Sequence, residues 1–162
     1  MIFIKWFLII IVLIVIATVL AGQLGMLKGT TPSDLGVQEG KLKPPAMTPN
    51  SVTSQAKLYP VHPQLEYAEI DPLPIIDDAS TTLARIRGII EAMNGAEIIT
   101  SDEHYLYVQF TTRIMKFVDD AEFWFDPVAN VIQVRSASRL GKSDLGVNRK
   151  RIETIRQQLT SS

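Results

Sequence analysis

Residues 121–136 constrain the fold more tightly than any other stretch of this chain. Ala121-Glu-Phe-Trp-Phe-Asp126 and Val131-Ile-Gln-Val-Arg-Ser136 alternate apolar with polar side chains, and Pro127-Val-Ala-Asn130 separates them. A period of two marks strands with one buried face, and two such runs joined by a short loop make an antiparallel hairpin. With Pro127 to Asn130 as the loop, Asp126 faces Val131, and pairing continues through Phe125–Ile132, Trp124–Gln133, Phe123–Val134 and Glu122–Arg135. Phe123, Phe125, Ile132 and Val134 then share one face, while Glu122, Trp124, Gln133 and Arg135 share the other. A slip of one residue would put Arg135 among the phenylalanines, so the pattern itself selects the register.

The flanking sequence supplies the rest of a small domain. Asp77, Asp78 and Ser80 offer N-caps, and Leu83, Ile86, Ile89, Ile90 and Met93 follow at helical spacing until Asn94-Gly95. Ala96 to Thr100 and Tyr105 to Thr112 read as a first hairpin, and a final helix carries Ile152, Ile155 and Leu159 on one face. The order predicts an α+β fold: a small two-layer domain, helix–four-stranded antiparallel meander–helix, with both helices on one face. Its core should draw on Leu83, Ile86, Ile90, Leu106, Val108, Phe110, Phe123, Phe125, Ile132, Val134, Ile152 and Ile155.

Upstream the character of the chain changes twice. Trp6 to Ala21 is free of charge and rich in Ile, Val and Leu, with Lys5 just before it. Counted from Met1, this is close to the roughly 20 residues needed to cross a bilayer core of roughly 30 Å. Residues 1–22 are read as a single-pass transmembrane anchor; a signal peptide cleaved near Val19-Leu-Ala21 is the competing reading. Lys5 and the free amine favour a cytoplasmic N-terminus, which places the C-terminal domain on the periplasmic or extracytoplasmic side. Seven of the nine prolines fall between Pro32 and Pro72. Residues 23–47 are therefore expected to be a flexible linker, and 48–76 an extended strap leading into the soluble domain of 48–162.

Charge is divided along the chain. Thirteen acids lie between Glu66 and Asp126, whereas seven bases lie between Arg135 and Arg156 against only Asp144 and Glu153. Such halves suit pairing across a fold better than nucleic-acid binding, because apolar positions at helical spacing interrupt the basic run. Anionic lipid headgroups or a protein partner fit that run better. The chain has no cysteine, which excludes disulfides, thiolate metal sites and a cysteine nucleophile.

Three strings carry a family resemblance. They are Phe117-Val-Asp-Asp-Ala-Glu-Phe123, Val131-Ile-Gln-Val-Arg-Ser-Ala-Ser-Arg139 and Gly141-Lys-Ser-Asp-Leu-Gly-Val-Asn-Arg-Lys-Arg151. With Thr48-Pro-Asn-Ser-Val-Thr-Ser-Gln55 and Ile70-Asp-Pro-Leu73 upstream, the chain from about Leu35 to Leu159 resembles the domain of unknown function 1499 family. The resemblance implies a bacterial or plant protein, secreted or membrane-anchored in the cell envelope, with no established activity. Many relatives have cysteines near the Pro-Asn motif, where this chain has Met47 and Ser51, so any stapling of the strap is absent.

The polar residues of 135–151 admit two readings. Arg135, Arg139, Ser143, Asn148 and Arg151 could form a pocket for an anion, since arginine forks and a helix N-terminus both suit phosphate or carboxylate. Alternatively Asp119, Asp120, Glu122, Arg135 and Asp144 belong to an internal polar network that also engages the other arginines, with Ser143 or Asp144 capping the last helix. Arg139, Asn148 and Arg151 are the three whose polarity the expected elements leave unexplained. His62 and His104 are too scattered for zinc, no calcium loop is present, and Gly-x-Ser-x-Gly, Walker and dinucleotide motifs are missing. No catalytic residue, metal or cofactor is assigned. The sequence points to a membrane-anchored, non-enzymatic binding domain, or to a structural or assembly module, with an acid/base enzyme as a third class.

Overall fold

The computed structural model describes residues 2–161, so Met1 and Ser162, the outer bounds of the expected anchor and domain, lie outside it. A long helix α1 (Ile2–Gln23) comes first. The chain then runs through a short strand β1 (Ser51–Thr53), a single 3-10 turn and a one-turn helix α2 (Leu65–Ala68). Helix α3 (Ala79–Glu91), strands β2 (Ala96–Ser101), β3 (Tyr105–Thr111), β4 (Val118–Asp126) and β5 (Val131–Ser138), and helix α4 (Val147–Thr160) follow.

The sheet is wholly antiparallel, in the order β1-β5-β4-β3-β2. β4 and β5 pair in the register that the alternation demands, from Asp126 opposite Val131 to Glu122 opposite Arg135. The strand count differs from the sequence reading: there are five, because the strap supplies β1 at the free edge of β5. Three residues are too short to show a period, and only a preformed β5 edge gives them partners. The strap is stitched further by mutual backbone hydrogen bonds between Leu73 and Ile132.

One face of the sheet meets α3 and α4. Leu83, Ile86 and Ile90 of α3 and Ile152, Ile155 and Leu159 of α4 pack on Leu106, Val108, Phe110, Phe123, Ile132 and Val134. Val52, Ile70 and Leu73 of the strap complete this core, while Phe125 is only partly buried at its margin. Helix α3 starts where Asp78 caps it, its carboxylate accepting from the Thr81 N–H at 2.8 Å. The turn into β2 requires Gly95, whose φ of +79° and close approach to the Thr111 carbonyl leave no room for a Cβ.

The other face of the sheet is covered as well. Residues 29–46, expected as linker, lie across it: Gly36 N–H donates to Glu122 at 2.7 Å, Leu42 is buried, and the Leu42 N–H donates to the Gln55 side chain at 2.8 Å. Within residues 2–161, α1 is the one helix long and apolar enough to cross a membrane. Its last turn abuts the β3–β4 loop, where the Gln23 side-chain amide donates to the Ile114 carbonyl at 2.8 Å.

Candidate functional site

Successive residues of a strand point to opposite sides of a sheet, and this separates the charged residues into two groups. On the helix-covered face, Arg151 of α4 reaches Asp119 of β4 at 2.6 Å. The same guanidinium donates to the Asn148 side-chain oxygen at 2.7 Å and the Ser136 hydroxyl at 3.1 Å, and lies 4.4 Å above the centre of the Phe110 ring. Asn148 is fully buried and donates to Asp144, Ser138 and the Asn50 carbonyl. Asp144 accepts from the N–H groups of Gly146 and Asn148 and from the Tyr67 hydroxyl. Burial pushes the Asp144 carboxyl upward, but the Tyr67 hydroxyl and these N–H groups outweigh it and hold it below the usual carboxylate value.

On the face covered by residues 29–46, Arg139 grips Asp120 with two parallel bonds, Nε to Oδ2 at 2.8 Å and Nη2 to Oδ1 at 2.7 Å. Tyr107 donates to Asp120 at 2.6 Å and Tyr105 to Glu122 at 2.7 Å. Both phenols are raised above their ordinary value, by burial first and then by the neighbouring carboxylate, so at neutral pH they are donors. Arg135 stands 3.7 Å from Glu122, an ion contact beyond hydrogen-bond length, and its Nε donates to the Pro44 carbonyl at 3.4 Å. Burial lowers the Arg135 pKa, and the charge of Glu122 works against that. Glu122 is wholly buried, and its Oε2 has no hydrogen-bond partner among the described residues.

The five residues read as candidates for an anion pocket are therefore not brought together. Arg135 and Arg139 lie on the face covered by residues 29–46, Arg151 and Asn148 project from α4 onto the opposite face, and Ser143 is exposed in the turn, its hydroxyl accepting from the Leu145 N–H. Arg135, Arg139 and Arg151 each face a carboxylate of this chain. Asp126 meets no arginine: it accepts from the Val128 and Ala129 N–H groups and the Gln133 side chain, closing the β4–β5 turn. The last helix is entered through Gly146 in the left-handed region, with Asp144 rather than Ser143 capping its first N–H groups.

A different constellation is open to solvent. Between the end of α3, the β3–β4 loop and the start of α4 runs a groove of about 800 Å³. Met93, Phe110 and Val147 give it an apolar floor, and Arg113, Lys116, Lys150 and Arg151 line it without a single carboxylate. Arg151 is engaged by Asp119; no ion pair forms at Arg113, Lys116 or Lys150 among the described residues. A second groove of about 760 Å³ beside α2 is mainly acidic, lined by Glu66, Glu69, Asp71 and Glu153 with Arg149 as its one base. No group of three or more His, Asp or Glu side chains among the described residues is arranged to hold a metal. The sequence reading missed Arg113 and Lys116. Their signal was the string Arg113-Ile-Met-Lys116, two cations around two apolar residues in a turn, where a solvated loop has no need of Ile and Met.

A family model described as a protein of unknown function, DUF1499, matches residues 41–159. The chain belongs to the DUF1499 family. No curated protein and no solved structure matches it.

In this DUF1499 chain the strings that carry the resemblance meet in space. Ser138 N–H donates to the Asn50 carbonyl and Asp144 N–H to the Pro49 carbonyl, while the Asn50 side chain donates to the Gly141 carbonyl at 2.9 Å. The Pro-Asn motif thus buckles the strap to the turn that launches α4. Arg149 extends the same seam by donating to the Tyr67 and Glu69 carbonyls, both at 2.7 Å.

Proposed function

We propose that this DUF1499 chain is a membrane-anchored, non-enzymatic binding domain of the cell envelope, and that it takes a polar anionic ligand in the groove between α3, the β3–β4 loop and α4. The observation that carries the reading is the lining itself. Three cations without ion-pair partners surround an apolar floor, and no carboxylate competes for them. A phosphate or carboxylate group on a short apolar body fits that combination, because the cations supply charge-assisted hydrogen bonds and Phe110, Met93 and Val147 take the rest. The buried pairs Arg151–Asp119 and Arg139–Asp120 then hold the walls rather than meet the ligand. Anchoring by α1, with the domain on the extracytoplasmic side, completes the proposal.

The test uses the full chain in neutral maltoside micelles, titrated with hexyl phosphate and with hexanol as the uncharged control. Saturable binding of hexyl phosphate and none of hexanol is expected. The triple variant Arg113→Ser, Lys116→Ser, Lys150→Ser should lose affinity by about tenfold or more, with its melting temperature unchanged. Equal affinity in the triple variant, or no binding by the parent, overturns the proposal. The second reading, a structural or assembly module, is favoured by the internal engagement of Arg135, Arg139 and Arg151. It gains if the parent binds no anion.

A further inference from the structure

The antiparallel sheet sorts its connections to two ends. The end of β3, the start of β4, the end of β5, the end of α3 and the start of α4 all fall at one of them, because β3 enters the loop that β4 leaves and β5 returns to it. The cationic groove opens here. So does the junction with α1: Gln23 bonds the Ile114 carbonyl, and a Cβ on Gly22 would come within 2.5 Å of the Met115 carbonyl oxygen. A few residues on, a Cβ on Gly29 would press against Arg139 and Leu140.

A helix of 22 residues spans about 33 Å at 1.5 Å per residue, close to the thickness of a bilayer core. If α1 crosses a membrane, Gly22 and Gln23 lie at headgroup depth, and the loop that touches them lies there too. The surface at this end has the composition of an interfacial one. Ile114, Leu24 and Met26 are exposed apolar side chains, and Leu145 on the turn into α4 is 91 % exposed. Lys28, Arg113, Lys116, Lys142 and Lys150 belong to the segments that meet at this end, against two exposed acids, Glu91, which pairs with Arg87, and Glu97. The opposite end carries Asp102 and Glu103 in the β2–β3 turn, Asp126 in the β4–β5 turn and Asp77 and Asp78 ahead of α3. A negative bilayer surface attracts the first end and repels the second.

We infer that the groove end of the domain rests on the same bilayer that α1 enters, and that the groove takes the phosphate headgroup of an anionic phospholipid drawn from it. The inference rests on the binding reading above and names its ligand. Arg113, Lys116 and Lys150 hold the phosphate, and Phe110, Met93 and Val147 cover the first carbons of the lipid. A docked domain, rather than one held at a distance by a slack linker, is what brings the groove to the lipid.

The absence of cysteine makes the test direct, since each single-cysteine variant of the full chain carries one nitroxide. Labels at Ile114→Cys and Leu145→Cys are compared with one at Val128→Cys, a 95 % exposed position in the β4–β5 turn. The host is a nanodisc of equimolar phosphatidylglycerol and phosphatidylcholine. The first two labels should be open to oxygen and shielded from an aqueous nickel complex, and the third the reverse. Amide exchange of residues 112–116 and 147–151 should be slower by about tenfold in the mixed disc than in pure phosphatidylcholine. The triple serine variant should abolish that difference. Labels at 114 and 145 as aqueous as that at 128 would overturn the docking, and equal exchange in the two discs would overturn the headgroup assignment. In either case retained binding of hexyl phosphate leaves the groove as a site for a soluble anion. Loss of that binding removes the earlier reading itself.

Discussion

Asp119 and Asp120 are neighbours in sequence, yet each bonds its own arginine on opposite faces of the sheet, Arg151 at 2.6 Å and Arg139 at 2.7 Å. The pleat of β4 separates two buried carboxylates that would otherwise repel. It also joins the α4 layer and the layer of residues 29–46 to a single strand. All four side chains are at most 9 % exposed, so solvent screens neither pair strongly.

Breaking one pair should therefore cost far more than a surface ion pair. Arg139→Met or Arg151→Met leaves a buried carboxylate uncompensated and is expected to lower stability by about 3–5 kcal/mol. Urea unfolding measures this. Double-mutant cycles should show strong coupling within Asp120/Arg139 and within Asp119/Arg151, but only about 0.5 kcal/mol between Asp119 and Arg139. Strong coupling across the sheet would contradict the two-face arrangement.

Glu122 and Arg135 differ from those pairs, because 3.7 Å and an unpartnered Oε2 make a poorly satisfied contact. Glu122→Gln alone strands the Arg135 charge and should destabilise. Replacing both, as Glu122→Gln with Arg135→Met, should recover most of the loss, since a buried pair without good hydrogen bonds scarcely repays its desolvation. Denaturation midpoints of the three variants decide it.

Two glycines should respond differently to alanine. At Gly95 the new Cβ meets the Thr111 carbonyl and φ is +79°, so Gly95→Ala should cost on the order of 3 kcal/mol or more. At Gly36, φ is +98° with open space around it, and Gly36→Ala should cost about 1–2 kcal/mol from backbone strain alone. Thermal unfolding of the pair separates steric from conformational cost.

Asp78 sets an acid-stability signature. The Thr81 N–H first, then the Ser80 and Thr81 hydroxyls, bring its carboxyl from 3.8 down to about 2. A carboxyl depressed on folding stabilises fully above its unfolded value, and that contribution is lost as pH falls through the folded one. The melting temperature should thus drop between about pH 4 and pH 2, and Asp78→Asn, which keeps a neutral cap, should show a shallower drop over that window. Identical slopes would show that Asp78 adds nothing there.

Retention of α1 is read from mass. Protein expressed from this 162-residue sequence and recovered from membranes should keep the sequence's full 18.0 kDa. A species shortened by cleavage after Ala21 would show a signal peptide and remove the anchor.

The alternation of residues 121–136 determined the hairpin and its register, and helical spacing determined α3 and α4, because a period of two or of 3.6 survives only when one face is buried. The same logic named most of the core on the sheet and the two helices, but not Val52, Ile70 and Leu73 of the strap. It also placed Glu122 opposite Arg135, since cross-strand partners follow from register alone. Charge by itself could not tell which arginines face a ligand: Arg139, Asn148 and Arg151 looked unexplained until Asp120, Ser136 and Asp119 came beside them from other strands. Nor could composition show that β1 forms or that Gly36 and Leu42 cover the second face, as short Gly- and Pro-rich segments have no period and take their structure from the surface they lie on. The groove, finally, is a tertiary object. Lys150 sits far along the chain from Arg113 and Lys116, and joins them at one end only because β3, β4 and β5 run antiparallel and α4 starts where β5 stops.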